Sequence, residues 1–124
     1  MNWLGVVAAL TAFLSIWAGH VAVRKIEFSS PSMRIPTVSF AAIGMVVEFI
    51  SLSVSNRLLS IVFGIFGITL LWDALEFTRQ QNRIKKGHAP ANPNNPRHAS
   101  FLANANFHAT TLDLLKREPT GEQE

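Results

Sequence analysis

Three runs long enough to cross a bilayer lie between Trp3 and Leu75 of this 124-residue chain, and they leave few folds open to it. Trp3–Val23 (WLGVVAALTAFLSIWAGHVAV) carries no formal charge. At a helical rise of ~1.5 Å per residue it spans about 31 Å, the thickness of a hydrocarbon core. Ile35–Val54 is nearly as long and carries one charge, Glu48. Leu58–Leu75 is slightly shorter, with Asp73 near its end. The expectation is an all-α protein: three transmembrane helices at about 2–23, 35–54 and 58–86, the third extended, then a cytoplasmic tail.

The order of charges predicts an orientation. Nothing basic precedes the first run, its core exceeds that of a signal peptide, and Arg24-Lys25 follow it. That pattern predicts a retained helix whose N-terminus is translocated. With three spans, Arg24, Lys25, Arg34, Arg79, Arg83, Lys85 and Lys86 share one side, against Arg57 alone on the other. The positive-inside tendency puts the N-terminus and the Ser55-Asn56-Arg57 turn outside and the C-terminus in the cytoplasm. Trp3 then marks the outer interface, and Trp17 and Trp72 the inner one. The net charge of +3 reads as attraction to anionic headgroups, about 1 kcal/mol per Lys or Arg near the surface, rather than to nucleic acid. The chain has no cysteine, which excludes disulfides, thiolate metal sites and a cysteine nucleophile.

Beyond Leu75, the residues Asp73, Glu76, Arg79, Gln80, Arg83 and Lys86 continue a helix-compatible stretch to Gly87, a C′ residue. Residues 1–87 therefore form the membrane domain. After it, HAPANPNNPRH is rich in proline and asparagine and reads as an extended linker opening a tail over 88–124. Phe107, Leu112, Leu114 and Leu115, with Lys116-Arg117, fit either a short amphipathic helix on the membrane or a partner, or an unstructured tail.

Two stretches are familiar. GHVAVRKIEF resembles the pattern H-P-x-x-x-K-x-E-[YF]. LWDALEFTRQQNRIKKGHAPANP resembles L-W-x-x-x-E-x-x-x-Q-x-x-R-x-x-K-G-x-x-P-x-N-P. With the start MNWLG and the run LLSIVFGIFGITLLW, residues 1–97 resemble a family of small bacterial membrane proteins catalogued as domain of unknown function 4491. The matching positions are His20, Lys25, Glu27, Trp72, Glu76, Gln80, Arg83, Lys86, Gly87, Pro90, Asn92 and Pro93. The chain departs from the pattern with Val21 in place of proline, with His88 where an aromatic is common, and with a tail beyond Arg97. The resemblance implies a three-helix fold in a bacterial inner membrane and supplies no activity.

Several polar groups stand out against the apolar runs. The topology gathers His20, Lys25, Glu27, Glu76, Arg83 and Lys86 at the inner interface. They form either a headgroup or quinone site or an ion-pair network fixing the helix ends. Glu48 lies inside the membrane at a cost of about 2.5–3.5 kcal/mol, with Ser51 and Ser55 on its face. It serves proton or cation handling, pairs with another subunit, or bonds to a helix backbone. Small residues at Gly5, Ala9, Ala12 and Gly19 of the first helix, and Ser60, Gly64 and Gly67 of the third, offer packing faces. His88, His98 and His108 recur at tail spacings unlike a compact metal site, which leaves His20 as a lone haem or pigment ligand in the weakest reading. No catalytic constellation, metal site or cofactor is expected. The functional expectation is a non-catalytic accessory or assembly subunit of a larger membrane complex, or a homo-oligomer, embedded among anionic lipids. A small transporter or channel, or a lipid or quinone binder at Glu48 or the His20/Glu76 region, is the alternative.

Overall fold

A computed structural model describes residues 1–116 and 118–120. The elements in chain order are α1 (Leu4–Ser29), α2 (Arg34–Ser53), α3 (Arg57–Lys85), α4 (Pro96–Ala103), β1 (Leu112–Asp113) and β2 (Glu118–Pro119). The two short strands pair antiparallel, Leu112 opposite Pro119. The first three helices are each long and apolar enough to cross a membrane. The fold is that of a small three-helix membrane protein.

Helix α3 is the centre of the membrane part. It packs against both α1 and α2, which share no comparable interface with each other. The α2–α3 hairpin closes through a short turn in which the Asn56 side chain accepts from the N–H groups of Leu58 (2.9 Å) and Leu59 (3.2 Å), capping α3. In lipid, burying apolar surface gives little driving force, so close approach and interhelical hydrogen bonds hold helices together. Both devices are present. A Cβ on Gly44 would lie 2.9 Å from Leu71 Cγ, and one on Gly67 would lie 2.7 Å from Glu48 Oε1. Ser51 Oγ donates to the Ser60 carbonyl (2.8 Å) and Ser60 Oγ returns a bond to the Ser51 carbonyl (2.9 Å). The Phe40 and Phe77 rings meet edge to face, 5.1 Å between centroids.

Two features differ from the sequence expectation. Helix α1 does not stop at Val23 but runs through Arg24, Lys25 and Glu27 to Ser29. Hydropathy marks where the bilayer ends, whereas these residues remain good helix formers in water. The stretch after Gly87 is also not an extended linker. Gly87 adopts a left-handed conformation (φ 80) as C′ of α3. Its N–H donates to the Ile84 carbonyl (3.0 Å) and the His88 N–H to the Arg83 carbonyl (2.9 Å), the Schellman pattern. The chain then folds back over the end of α3. Asn95 caps α4 and Pro96 occupies its first turn, so asparagine and proline here encode a helix start.

Ile84, Ala91 and Phe101 form a compact core beneath this cap, with Ala89, Leu102, Phe107 and Ala109 around it. The His108 N–H donates to the Lys85 carbonyl (2.9 Å) and the Ala91 N–H to the Thr110 carbonyl (2.8 Å), tying 104–110 to the end of α3. Lys85 Nζ lies 4.9 Å from the Phe101 ring and 5.2 Å from the Phe107 ring, a cation–π clasp. The expected apolar face at Leu112, Leu114 and Leu115 belongs to the β1–β2 hairpin rather than a helix, and its three leucines are exposed. Arg117 lies outside the described residues.

Gly87→Ala should loosen the cap. A left-handed alanine costs about 1–2 kcal/mol, and its Cβ would press on the His108 carbonyl. Hydrogen exchange should show faster exchange at Ala91 and His108 with unchanged protection in α1–α3; unchanged exchange at both amides would contradict this packing.

Candidate functional site

Polar side chains at one end of the helices fall into two centres. The first is a groove between α1 and α3, with a volume of about 330 Å³. Trp17, His20 and Arg24 line it from α1, at helical spacings that share one face. Glu76, Gln80 and Arg83 line it from α3 on a matching face, and Val23 closes its wall. Arg24 is held by its Nε–H, which donates to the His20 carbonyl (3.3 Å). Glu76 Oε1 accepts from Arg79 Nη1 (2.7 Å), while Arg79 stacks over Trp72 at 4.6 Å. Gln80 is largely buried but lines the groove, and its side-chain amide makes no hydrogen bond among the described residues. The groove thus offers two guanidinium groups, a carboxylate, an imidazole and a side-chain amide.

Asp73 lies one step deeper on α3. It is 4% exposed and packs directly on Gly19, where a Cβ would come within 2.7 Å of Oδ1. His20 and Glu76 are its titratable neighbours.

The second centre joins α4 to the end of α1. Glu27 is fully buried, and its Oε1 accepts from Arg97 Nη1 (2.7 Å) and pairs with His98 Nε2 (3.0 Å). His98 Nδ1 accepts from the Asn92 backbone N–H (2.9 Å), so that nitrogen keeps its lone pair. The histidine is therefore neutral, with its proton on Nε2 and donated to Glu27. Arg97 supplies the positive charge. Its Nη2 donates to the Glu27 carbonyl (2.6 Å) and its Nη1 also to Gln81 (3.0 Å). The Asn92 and Asn95 side-chain amides both donate to the Phe28 carbonyl (3.1 Å each), and Asn95 also to the Ser30 carbonyl (2.9 Å).

This arrangement answers a local need. The last carbonyls of a helix lack intrahelical donors and carry partial negative charge. The last turn of α1 contains no basic residue, and Glu27 adds a negative charge there. Arg97, Asn92 and Asn95 supply the missing donors and the missing cation from a distant part of the chain.

The residues expected at the inner interface therefore separate. His20, Glu76 and Arg83 share the groove; Glu27 lies beyond it, turned into the α4 centre; Lys25 and Lys86 are not among the residues lining either. Helix depth puts these side chains at one level, but rotation about each helix decides which meet. Glu48 lies against Gly67, and its Oε1 is buried with no hydrogen-bond partner among the described residues. Ser51 bonds to Ser60, while Ser55 falls outside α2 and is exposed. On the expected small-residue faces, a Cβ on Gly64 would lie 3.1 Å from Ser51 Oγ, and one on Gly67 would meet Glu48. Of the small residues expected on the α1 face only Gly19 is buried; Ala12 is half-buried, Ala9 exposed, and a Cβ on Gly5 would meet nothing within 4 Å. The buried residues of α1, Gly19, Val23 and Glu27, all lie in its second half, so contact is made there. Sequence reasoning misses Arg97 and Asn95, although Asn95-Pro96 carries a cap-then-proline helix signal. His98, expected in a flexible tail, is fully buried.

Comparison with known proteins agrees with the resemblance in the sequence. The model of a family described as a domain of unknown function (DUF4491) matches residues 2–95. No curated protein and no solved structure matches.

Removing the Glu27 carboxylate leaves the Arg97 guanidinium, 12% exposed, without its counter-charge. Breaking one side of a buried pair costs about 3–5 kcal/mol. Glu27→Ala should speed tryptic cleavage after Arg97 at least about tenfold, by releasing α4 from α1. An unchanged cleavage rate would contradict the latch.

Proposed function

The chain belongs to the DUF4491 family, a domain of unknown function, and we propose that it serves as a non-catalytic accessory or assembly subunit of a larger membrane complex, or as a homo-oligomer. Glu48 carries this reading. Its Oε1 is buried against Gly67 without a partner among the described residues, and an unpaired carboxyl group in hydrocarbon is costly. Around it Met45, Val46, Phe49 and Leu52 are exposed, and α1 does not close over this side of α2. A helix bringing a donor to this face would reach the Glu48 carboxyl group through its other oxygen and cover its apolar neighbours. The membrane is a bacterial inner membrane in this reading, with the N-terminus outside and the α4 cap in the cytoplasm, where the charge count favours it.

A second reading is favoured by the α1–α3 groove. Arg24 and Arg83 beside Trp17, at the end of the apolar spans, suit a site for a lipid headgroup phosphate.

The first reading predicts that the full chain, extracted in mild detergent, runs as a defined complex larger than one copy by native mass spectrometry. Glu48→Leu should dissociate it while Glu48→Gln, which keeps an acceptor, largely preserves it. A free monomer for the wild type would contradict the proposal.

A further inference from the structure

The α1–α3 groove carries more information than a patch of positive charge. A site built only for an anion would line itself with cations and neutral donors. This one places the Glu76 carboxylate in the same recess as Arg24 and Arg83, with Asp73 buried nearby on α3. Glu76 spends Oε1 on Arg79, and its second oxygen has no partner among the described residues. The same holds for Arg83 and for the terminal nitrogens of Arg24, whose one hydrogen bond uses Nε. The Gln80 amide, which also lines the groove, adds an acceptor and a donor beside them. Two guanidinium groups without an ionic partner among the described residues, beside a carboxylate oxygen that the Arg79 pair leaves open, call for a ligand that carries both signs a few bonds apart.

We infer that the groove binds a phosphate ester bearing a primary ammonium, supplied by the headgroup of an amino-phospholipid such as phosphatidylethanolamine. This rests on the headgroup reading above and names its substrate class. The phosphate lies between the Arg24 and Arg83 guanidinium groups, which present forked donors to its oxygens. The ammonium donates to the free Glu76 oxygen and to the Gln80 carbonyl. A quaternary ammonium cannot donate, and it favours an aromatic cage, whereas among the described residues Trp17 is the only Phe, Trp or Tyr lining this groove. A headgroup without a cation brings its phosphate up to a carboxylate whose second oxygen meets no donor, since Arg79 holds only Oε1. The recess of about 330 Å³ equals about ten liquid waters, ample for such a headgroup. Its place at the end of the apolar spans is where lipid phosphates lie, which favours a membrane source over a soluble one.

The test uses the full-length chain in nanodiscs of equal phosphatidylethanolamine, phosphatidylcholine and phosphatidylglycerol, with native mass spectrometry of the lipid retained on release. A charge-assisted contact predicts about fivefold or greater retention of phosphatidylethanolamine over the other two. Glu76→Gln should abolish the preference over phosphatidylglycerol, and Arg83→Gln should lower retention of both lipids together. Equal retention of the two by the wild type, with both falling on Arg83→Gln, overturns the ammonium assignment and leaves the phosphate site standing. Retention that is equal and indifferent to Arg83→Gln overturns both. Displacement of the lipid by millimolar free O-phosphoethanolamine overturns the membrane source. The wild-type comparison stands even if a variant fails to fold.

Discussion

The end of α1 is the constraint on which the rest of the structure turns. A helix leaving the membrane exposes its last carbonyls, and water or a capping group must meet them. Here the helix offers no basic residue of its own in its last turn and places Glu27 where the dipole is already negative. Arg97, Asn92 and Asn95 satisfy that end from the far side of the chain. Once they do so, the position of α4 is set. The turn at Gly87, the small core of Ile84, Ala91 and Phe101, and the return of His108 to the Lys85 carbonyl follow from it.

Two kinds of cohesion therefore meet in one short chain. Inside the apolar spans, contact depends on Gly44, Gly64 and Gly67 and on the reciprocal Ser51–Ser60 bonds, because hydrocarbon rewards close approach more than burial. Beyond the spans, water restores the hydrophobic effect, and a few buried aromatic and aliphatic side chains support a polar latch. The groove lies at the seam between these regimes. Val23 closes its wall, next to the helix packing at Gly19, and its rim is charged.

The parts legible in the sequence are those set by local sums. Three apolar runs predict three spanning helices because each window carries its own signal, and Gly87 marks the end of α3 because a left-handed residue is a local demand. The cap was less legible. Asn92, Pro93, Asn95 and Pro96 suit an extended linker as well as a sequence of turns and a helix start, and the choice is made by Phe28, Glu27 and Ser30 far away in the chain. The candidate site was half legible for the same reason. Depth along a helix follows from residue number, which brought His20, Glu76 and Arg83 to one level. Facing follows from packing, which turned Glu27 to α4, left Lys25 and Lys86 outside both centres, and hid Asp73 behind Gly19.

The coupling between Glu27 and Arg97 tests this dependence most directly. Hydrogen exchange of the Ala91 and His108 amides, measured in the wild type, Glu27→Gln, Arg97→Gln and the double variant, isolates it as a cycle. The predicted result is strong non-additivity: either single change exposes both amides, and the second adds little. Additive effects, or full protection of both amides after Arg97→Gln, would mean that the cap stands without the end of α1 and would contradict its central place.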